Sequence, residues 1–293
     1  MVNTLLKIFA DDTKSYSKLK SIADKYLLQT SCDNLVKWSI HWLLGFNCDK
    51  CNVLHLGKNN PKYDYTIKDF KEQDKITTMS ETFCEKDLGV HIDPDLNFES
   101  HIKIVTKKAR SLSGMIMRTF VNKSPSVFIP LFKALIRPVV EYGNPVWCPC
   151  LRKNIDEIEK IQRNYTRNII GMKKLDYGER LKTLKLPSLE YRRVRGDMIE
   201  VYKILTNHYD PLTTHTLLTL DNSSNTRGHA FKLKKSSFNS TKFKYFFTNR
   251  VVNLWNKLPE QIVHAPSLNV FKNKFDSFMK DYLYSTNLDM YEL

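Results

Sequence analysis

Apolar residues fall in short runs up to Pro94 and at helical spacing after it. Leu5-Leu6-Lys7-Ile8-Phe9-Ala10 is an apolar run ended by Asp11-Asp12, the pattern of a buried strand entering a tight turn. Between residues 18 and 44, Leu19, Ile22, Tyr26, Leu28, Leu35, Trp38 and Leu43 recur at mixed helical spacing, which predicts one or two helices. Residues 53–57, 63–68 and 88–92 read as further strands, with a turn at Asn59-Asn60-Pro61. From residue 98 to 118, Phe98, Ile102, Val105, Ala109, Leu112 and Ile116 make a helical stripe. Asn154-Ile155-Asp156-Glu157 has the form of a capping box, and Ile158, Ile161, Tyr165 and Ile169 follow up to a stop at Gly171. Ser188 and Ser267 are placed to cap two more helices, and residues 246–258 form another, stopped by Pro259. Residues 207–242 are sparse in core formers and read as a long loop or flexible arm.

This layout predicts a small mixed α/β piece followed by a mostly helical region. The 293 residues hold 42% hydrophobic and 12% aromatic side chains, too many for intrinsic disorder. Only 9 glycines are present, which weighs against a turn-rich all-β fold. No apolar run is long enough to cross a membrane and no export leader is visible, so the expected location is intracellular, nucleus or cytoplasm, with reduced thiols.

Charge separates the two regions. Residues 1–94 carry 13 Lys and 13 Asp plus Glu, whereas residues 95–293 carry 33 Lys plus Arg against 18 Asp plus Glu. The second region therefore holds the whole formal charge of +15, a field that attracts polyanions such as phosphate backbones. A soluble basic surface is the alternative. Lys160, Arg163 and Arg167 fall on one predicted helix face, Arg192, Arg193 and Arg195 cluster on the next, and Lys234 and Lys235 lie in a basic, aromatic-bearing arm. Such groups neutralise phosphates while rings stack on bases.

The chemical signal is the Asp11-Asp12 pair at the strand end. Nucleotidyl transfer commonly uses two divalent metals held by carboxylates, and an exposed turn anchored by an apolar strand suits that task. Cys48, Cys51 and His55 suggest zinc, but structural zinc takes four ligands, commonly in spaced pairs. Cys148 and Cys150, one residue apart around Pro149, make a poor second pair. No zinc is expected. Local spacing suggests no Ser/His/Asp or Cys/His catalytic group, and no glycine-rich phosphate loop occurs.

Phe9-Ala10-Asp11-Asp12 resembles the aspartate-pair motif of the reverse transcriptase palm in its LINE (non-LTR retrotransposon, jockey-like) form. Gly45-Phe46-Asn47-Cys48-Asp49-Lys50-Cys51-Asn52-Val53-Leu54-His55-Leu56-Gly57 resembles the next palm motif, and Glu85-Lys86-Asp87-Leu88-Gly89-Val90-His91-Ile92-Asp93 the primer-contacting hairpin. Leu135-Ile136-Arg137-Pro138-Val139-Val140-Glu141-Tyr142, Ile158-Glu159-Lys160-Ile161-Gln162-Arg163, Leu186-Pro187-Ser188-Leu189-Glu190-Tyr191-Arg192-Arg193, Thr226-Arg227-Gly228-His229 and Arg250-Val251-Val252-Asn253-Leu254-Trp255-Asn256-Lys257-Leu258-Pro259 resemble the family's thumb and tail, in order along the chain.

The resemblance implies an α+β fold: a partial palm of short antiparallel strands plus helix in 1–94, a helical thumb and extension in 95–206, and a basic arm with C-terminal helices in 207–293. It implies that Asp11 and Asp12 hold Mg²⁺ and that Lys50 lies near the pyrophosphate leaving the incoming dNTP; a strand-edge lysine is the alternative for Lys50. Leu88, Gly89 and Val90 would form the hairpin on the primer terminus, Gly89 allowing close backbone approach. RNA and DNA are the implied partners, with no membrane. The family's palm has another aspartate on an earlier strand. Ten residues precede Asp11 here and none is acidic, so the chain reads as a truncated copy, catalytically incomplete alone. Two functions follow: an RNA-directed DNA polymerase fragment, or a non-catalytic nucleic-acid-binding remnant of a mobile element.

Overall fold

Two stretches of the chain fold by different rules. The computed structural model describes residues 4–69, 75–214, 216–221, 228–238, 241–286 and 288. It divides into the units Met1–Leu96 and Asn97–Leu293; the change of texture read from the sequence falls two residues before that division. The fold is mixed α/β with helix dominant, and the named strands all lie in the first unit.

In the first unit, β1 (Leu5–Phe9) pairs antiparallel with β2 (Asp12–Tyr16), with Phe9 opposite Asp12. Ala10 and Asp11 are thus a two-residue turn. Ala10 takes the left-handed region at φ 53, where its Cβ crowds the following carbonyl. The strand and turn were legible; the burial was not. Ile8 is 58% and Phe9 64% exposed, and β1 has β2 as its only sheet neighbour among the described strands.

Residues 18–44 form one helix, α1 (Ile22–His41). Its start is fixed by Asp24, whose Oδ2 accepts the backbone N–H groups of Lys20 and Ser21, each at 2.7 Å. Those two bonds hold the Asp24 carboxyl below its usual range. Its support of α1 is therefore present at neutral pH and is lost as pH falls through that lowered value.

Three-residue strands follow: β3 (Asn52–Leu54), β4 (Thr66–Lys68), β5 (Ile76–Thr78), β6 (Ser80–Thr82), β7 (Glu85–Asp87) and β8 (Val90–Ile92). The pairs β4–β5 and β7–β8 are antiparallel, but β3–β6 is parallel, where the resemblance implied antiparallel strands. The Gln29 side chain bonds the Thr66 backbone in both directions, at 2.9 and 3.0 Å, and so fastens α1 to β4. The buried apolar core here is small: Val36, Cys48 and Ile67, with Phe46, Cys51 and Met79 packed against it.

The second unit is helical. Its helices are α2 (Glu99–Thr119), α3 (Pro125–Leu131), α4 (Arg137–Glu141), α5 (Asn144–Trp147), α6 (Arg152–Arg167), α7 (Tyr177–Leu184) and α8 (Leu189–Leu205), then α9 (Pro211–Thr214), α10 (Thr241–Lys244), α11 (Phe247–Arg250), α12 (Val252–Lys257), α13 (Glu260–Val263) and α14 (Leu268–Phe278). Between α3 and α4 the helix widens to a π turn, Phe132–Ile136. The Arg137 N–H reaches back five residues to the Phe132 carbonyl, next to Pro138, which has no N–H to give.

Local signals explain two of the expected helix starts and fail at two other places. Ser188 Oγ accepts from the Tyr191 N–H and Ser267 Oγ from the Val270 N–H, as their positions predict. The Asn154 box is overridden: α6 starts earlier, behind Leu151, with no side-chain cap. Arg152 secures that first turn instead, bonded to Asp156 and to Glu190. The helix expected over 246–258 breaks at Val251 into α11 and α12.

The core of this unit has two centres. Around Tyr165 lie Phe128 and Phe132, ring centroids 5.4 and 5.1 Å away, with Ile116, Ile136 and Ile158 fully buried. The other joins α8 to the C-terminal helices through Val194, Met198, Val201, Tyr202, Val251, Trp255, Phe271 and Phe275. The described part of 207–242 is stitched down. Asn256 of α12 bonds the Leu233 N–H and carbonyl at 2.8 and 2.9 Å, and Leu233 is buried.

Candidate nucleic-acid interface

Asp11 sits in the β1–β2 turn and Asp12 begins β2, both exposed. Lys14, two residues on, pairs with Asp87 at the end of β7. That ion pair brings the β1–β2 hairpin beside the β7–β8 hairpin, whose turn is Leu88-Gly89. Leu88 has φ 46 and Gly89 φ 86, so glycine fits the second position without strain. Val90 is buried and anchors that turn. Asn52 Nδ2 meets Glu85 Oε2 at 3.5 Å, tying β3 to the same hairpin. Lys50 ends the one-turn 3-10 segment Cys48–Lys50 just before β3 and is exposed.

Two adjacent, exposed carboxylates fit one hydrated Mg²⁺, which keeps several waters and takes one or two carboxylates plus substrate phosphates. A two-metal arrangement needs more donors. Among the described residues no group of three or more His, Cys, Asp or Glu is gathered as for a metal ion. None of the six cysteines is joined in a disulfide, and burial pushes the thiols of Cys32, Cys51 and Cys150 up, favouring the neutral form.

The basic residues of the second unit fall into two classes. Arg192, Arg193 and Arg195 face inward. Arg192 pairs with Glu141 through two bonds, and Arg195 pairs with Asp276, which also accepts from the Tyr191 hydroxyl. Arg193 is buried, its Nη1 and Nη2 making no hydrogen bond among the described residues. One turn further along α8, the fully buried Asp197 holds Arg250 at 2.8 and 2.9 Å and accepts from Asn144 Nδ2. Burial pushes the Asp197 carboxyl up, and Arg250 opposes it. Arg192, Arg195 and Arg250 join helices, and their charges are matched by Glu141, Asp276 and Asp197.

Lys160, Arg163 and Arg167 of α6 are exposed. Lys160 lies 3.7 Å from Glu157, and the Arg163 guanidinium stands over the Tyr177 ring, 5.0 Å from its centroid. Tyr177 is itself fixed, donating to buried Glu159, which also accepts the backbone N–H groups of Leu189 and Glu190 at the start of α8. Burial and the Glu159 carboxylate push the Tyr177 phenol far up, so it remains a donor. Lys234 is exposed, and Lys235 reaches Asn253 Oδ1 at 3.1 Å.

Charge is concentrated in this part of the chain. Residues 97–187 carry 18 Lys plus Arg against 7 Asp plus Glu, and residues 160–175 carry five cations with no acid. Lys173 and Lys174, which the residue-by-residue reading passed over, are exposed just beyond α6. The signal was the acid-free stretch itself. Also passed over was the capping box at the start of α7, where Asp176 accepts the Glu179 N–H and Glu179 accepts the Asp176 N–H.

Compared with known proteins, the chain is 25% identical over 126 residues to the Caenorhabditis elegans "Uncharacterized protein B0403.1". That stretch is 42% of this chain and 64% of that protein, so the chain spans less than two thirds of its relative's length. No family model and no solved structure matches. Among the described residues no helix is long and apolar enough to cross a membrane.

Proposed function

We propose that this chain binds nucleic acid through its helical unit, and that it is related to the reverse transcriptases of non-LTR retrotransposons, with too few gathered carboxylates among its described residues for two-metal polymerase chemistry. The observation that carries the reading is the segregation of charge: 18 cations against 7 acids over residues 97–187, with Lys160, Arg163 and Arg167 of α6 exposed. Geometry sharpens which cations face solvent. The α6 set and the lysines just past it are available, whereas Arg192 and Arg195 are held in ion pairs.

The aspartate hairpin supports the polymerase descent. Asp11 and Asp12 project from a turn, and the Lys14–Asp87 pair holds beside them the hairpin that the sequence resemblance assigns to the primer. This reading makes the first unit a partial palm, residues 95–206 a thumb with its extension, and residues 207–293 an arm with C-terminal helices.

The binding test is fluorescence anisotropy of a labelled, arbitrary-sequence single strand of RNA or DNA with the full chain over a salt series. Log affinity is expected to fall linearly with log salt, by roughly 0.7 per single-strand phosphate contacted. A folded chain that binds nothing at low salt, or binds without salt dependence, overturns the reading. The chemistry test is primer extension on an RNA template with Mg²⁺ or Mn²⁺. No extension is expected, since two exposed carboxylates supply too few donors for two metals. Template-dependent synthesis abolished by Asp11→Ala would refute incompleteness while supporting the descent.

A further inference from the structure

Two loops meet at one end of the second unit, and both expose apolar side chains. Residues 120–124 link α2 to α3, and residues 168–176 link α6 to α7. The Ile170 N–H donates to the Lys123 carbonyl at 3.0 Å, which sets the loops side by side. Val121 is 94% exposed, Ile170 63% and Phe120 38%. The loops are not loosely held. Phe128 and Ile169 are buried just behind them, and the Tyr165 hydroxyl donates to the Phe128 carbonyl at 3.0 Å. The Ser124 N–H donates to Asn122 Oδ1 at 3.0 Å, bracing the first turn.

Water-exposed isoleucine and valine on a braced tip cost solvation free energy unless something covers them. The surrounding charge identifies what does. Residues 118–134 carry three cations and residues 160–175 five, and neither stretch has an acid. An apolar protein partner is poorly matched to that field; a polyanion with apolar surface between its charges is well matched. The cations also run back along α6 from Arg167 to Lys160, about 10 Å at the helical rise. That line fits a phosphate strand, whereas a lipid surface would favour a ring of cations around the tip.

We infer that the 120–124 and 168–176 tip is an apolar wedge for double-stranded nucleic acid, Val121 and Ile170 entering between base pairs while flanking cations hold the phosphates. The inference rests on the nucleic-acid reading above and specifies its partner and contact. Apolar side chains driven between base steps unstack them and kink the duplex, and the cost is offset by added contact along the backbone.

The experiment uses the full chain and an RNA–DNA hybrid of about 20 base pairs carrying 2-aminopurine in the DNA strand. Saturating parent protein is expected to raise the 2-aminopurine emission, reporting unstacking. Val121→Ser with Ile170→Ser removes the wedge from exposed positions and leaves every cation in place. This double variant is expected to lose the emission rise and about tenfold in affinity, with the salt slope unchanged. Lys173→Gln with Lys174→Gln is expected to do the converse, flattening the slope but keeping the emission rise at saturation. Helical content and melting temperature check that each variant is folded.

A parent that binds with a normal salt slope while the Val121/Ile170 variant behaves identically overturns the wedge and leaves the nucleic-acid reading standing. A parent that binds no nucleic acid overturns both. Binding to vesicles containing anionic lipid that depends on Val121 and Ile170, with no rise in 2-aminopurine emission, overturns the wedge in favour of a membrane surface.

Discussion

Asp197→Ala is expected to lower the unfolding free energy by about 3–5 kcal/mol, the range for breaking a buried ion pair by deleting one partner. Arg250 is the reason. Its side chain is 2% exposed and that of Asp197 0%, so the variant leaves a guanidinium buried without its counter-charge. The pair also closes the second core centre: Arg250 Nη2 donates to the Pro145 carbonyl at 3.0 Å, and Asn144 Nδ2 reaches Asp197. One deletion therefore loosens α5, α8 and α11 together. Replacing both partners by apolar residues, Asp197→Leu with Arg250→Met, is expected to recover most of the loss, because no charge is then buried unmatched. Urea unfolding followed by circular dichroism measures both variants. An Asp197→Ala protein within about 0.5 kcal/mol of the parent would show that the pair is not the joint described here.

The ion pairs on α8 show where sequence reading stops. Arg192, Arg193 and Arg195 look like a basic cluster along the chain. Glu141 and Asp276, the partners of Arg192 and Arg195, lie 51 and 81 residues away, so no local pattern announces the pairing. Ser188 and Ser267 were legible because a cap acts within three residues. Asn154 failed for the same reason in reverse: its local box lost to Arg152, whose partner Glu190 is 38 residues on. The β1–β2 turn was legible from Asp11-Asp12 after an apolar run. Its exposure was not, since burial depends on what packs above a strand and not on the strand's own residues. The candidate interface divides the same way. The charge segregation is a property of composition and could be counted, but which cations reach solvent is a property of the folded helices.

Replacing Lys160, Arg163 and Arg167 together by Gln is expected to weaken single-strand binding on the order of 100-fold near 0.1 M salt and to flatten the salt slope by about two units. Each cation that neutralises a single-strand phosphate contributes roughly 0.7 to that slope, so three lost contacts account for the change. Glutamine keeps much of each side chain's length and its helix propensity, which limits the effect on folding. Arg163 carries one complication, because its guanidinium also stacks on Tyr177 and its loss removes some packing. Tyr177 keeps its bond to Glu159 without Arg163, so the α6–α7 junction is expected to persist. The contrasting variant is Arg192→Gln with Arg195→Gln. Those side chains are about one-fifth exposed and are bonded to Glu141 and Asp276, so this pair is expected to lower the melting temperature while leaving the salt slope of the folded protein in place. Anisotropy titrations of all three proteins across a salt series, with melting curves alongside, separate the two classes of arginine. A slope that flattens in the Arg192/Arg195 variant and not in the α6 variant would reverse the assignment and place the phosphate track on α8.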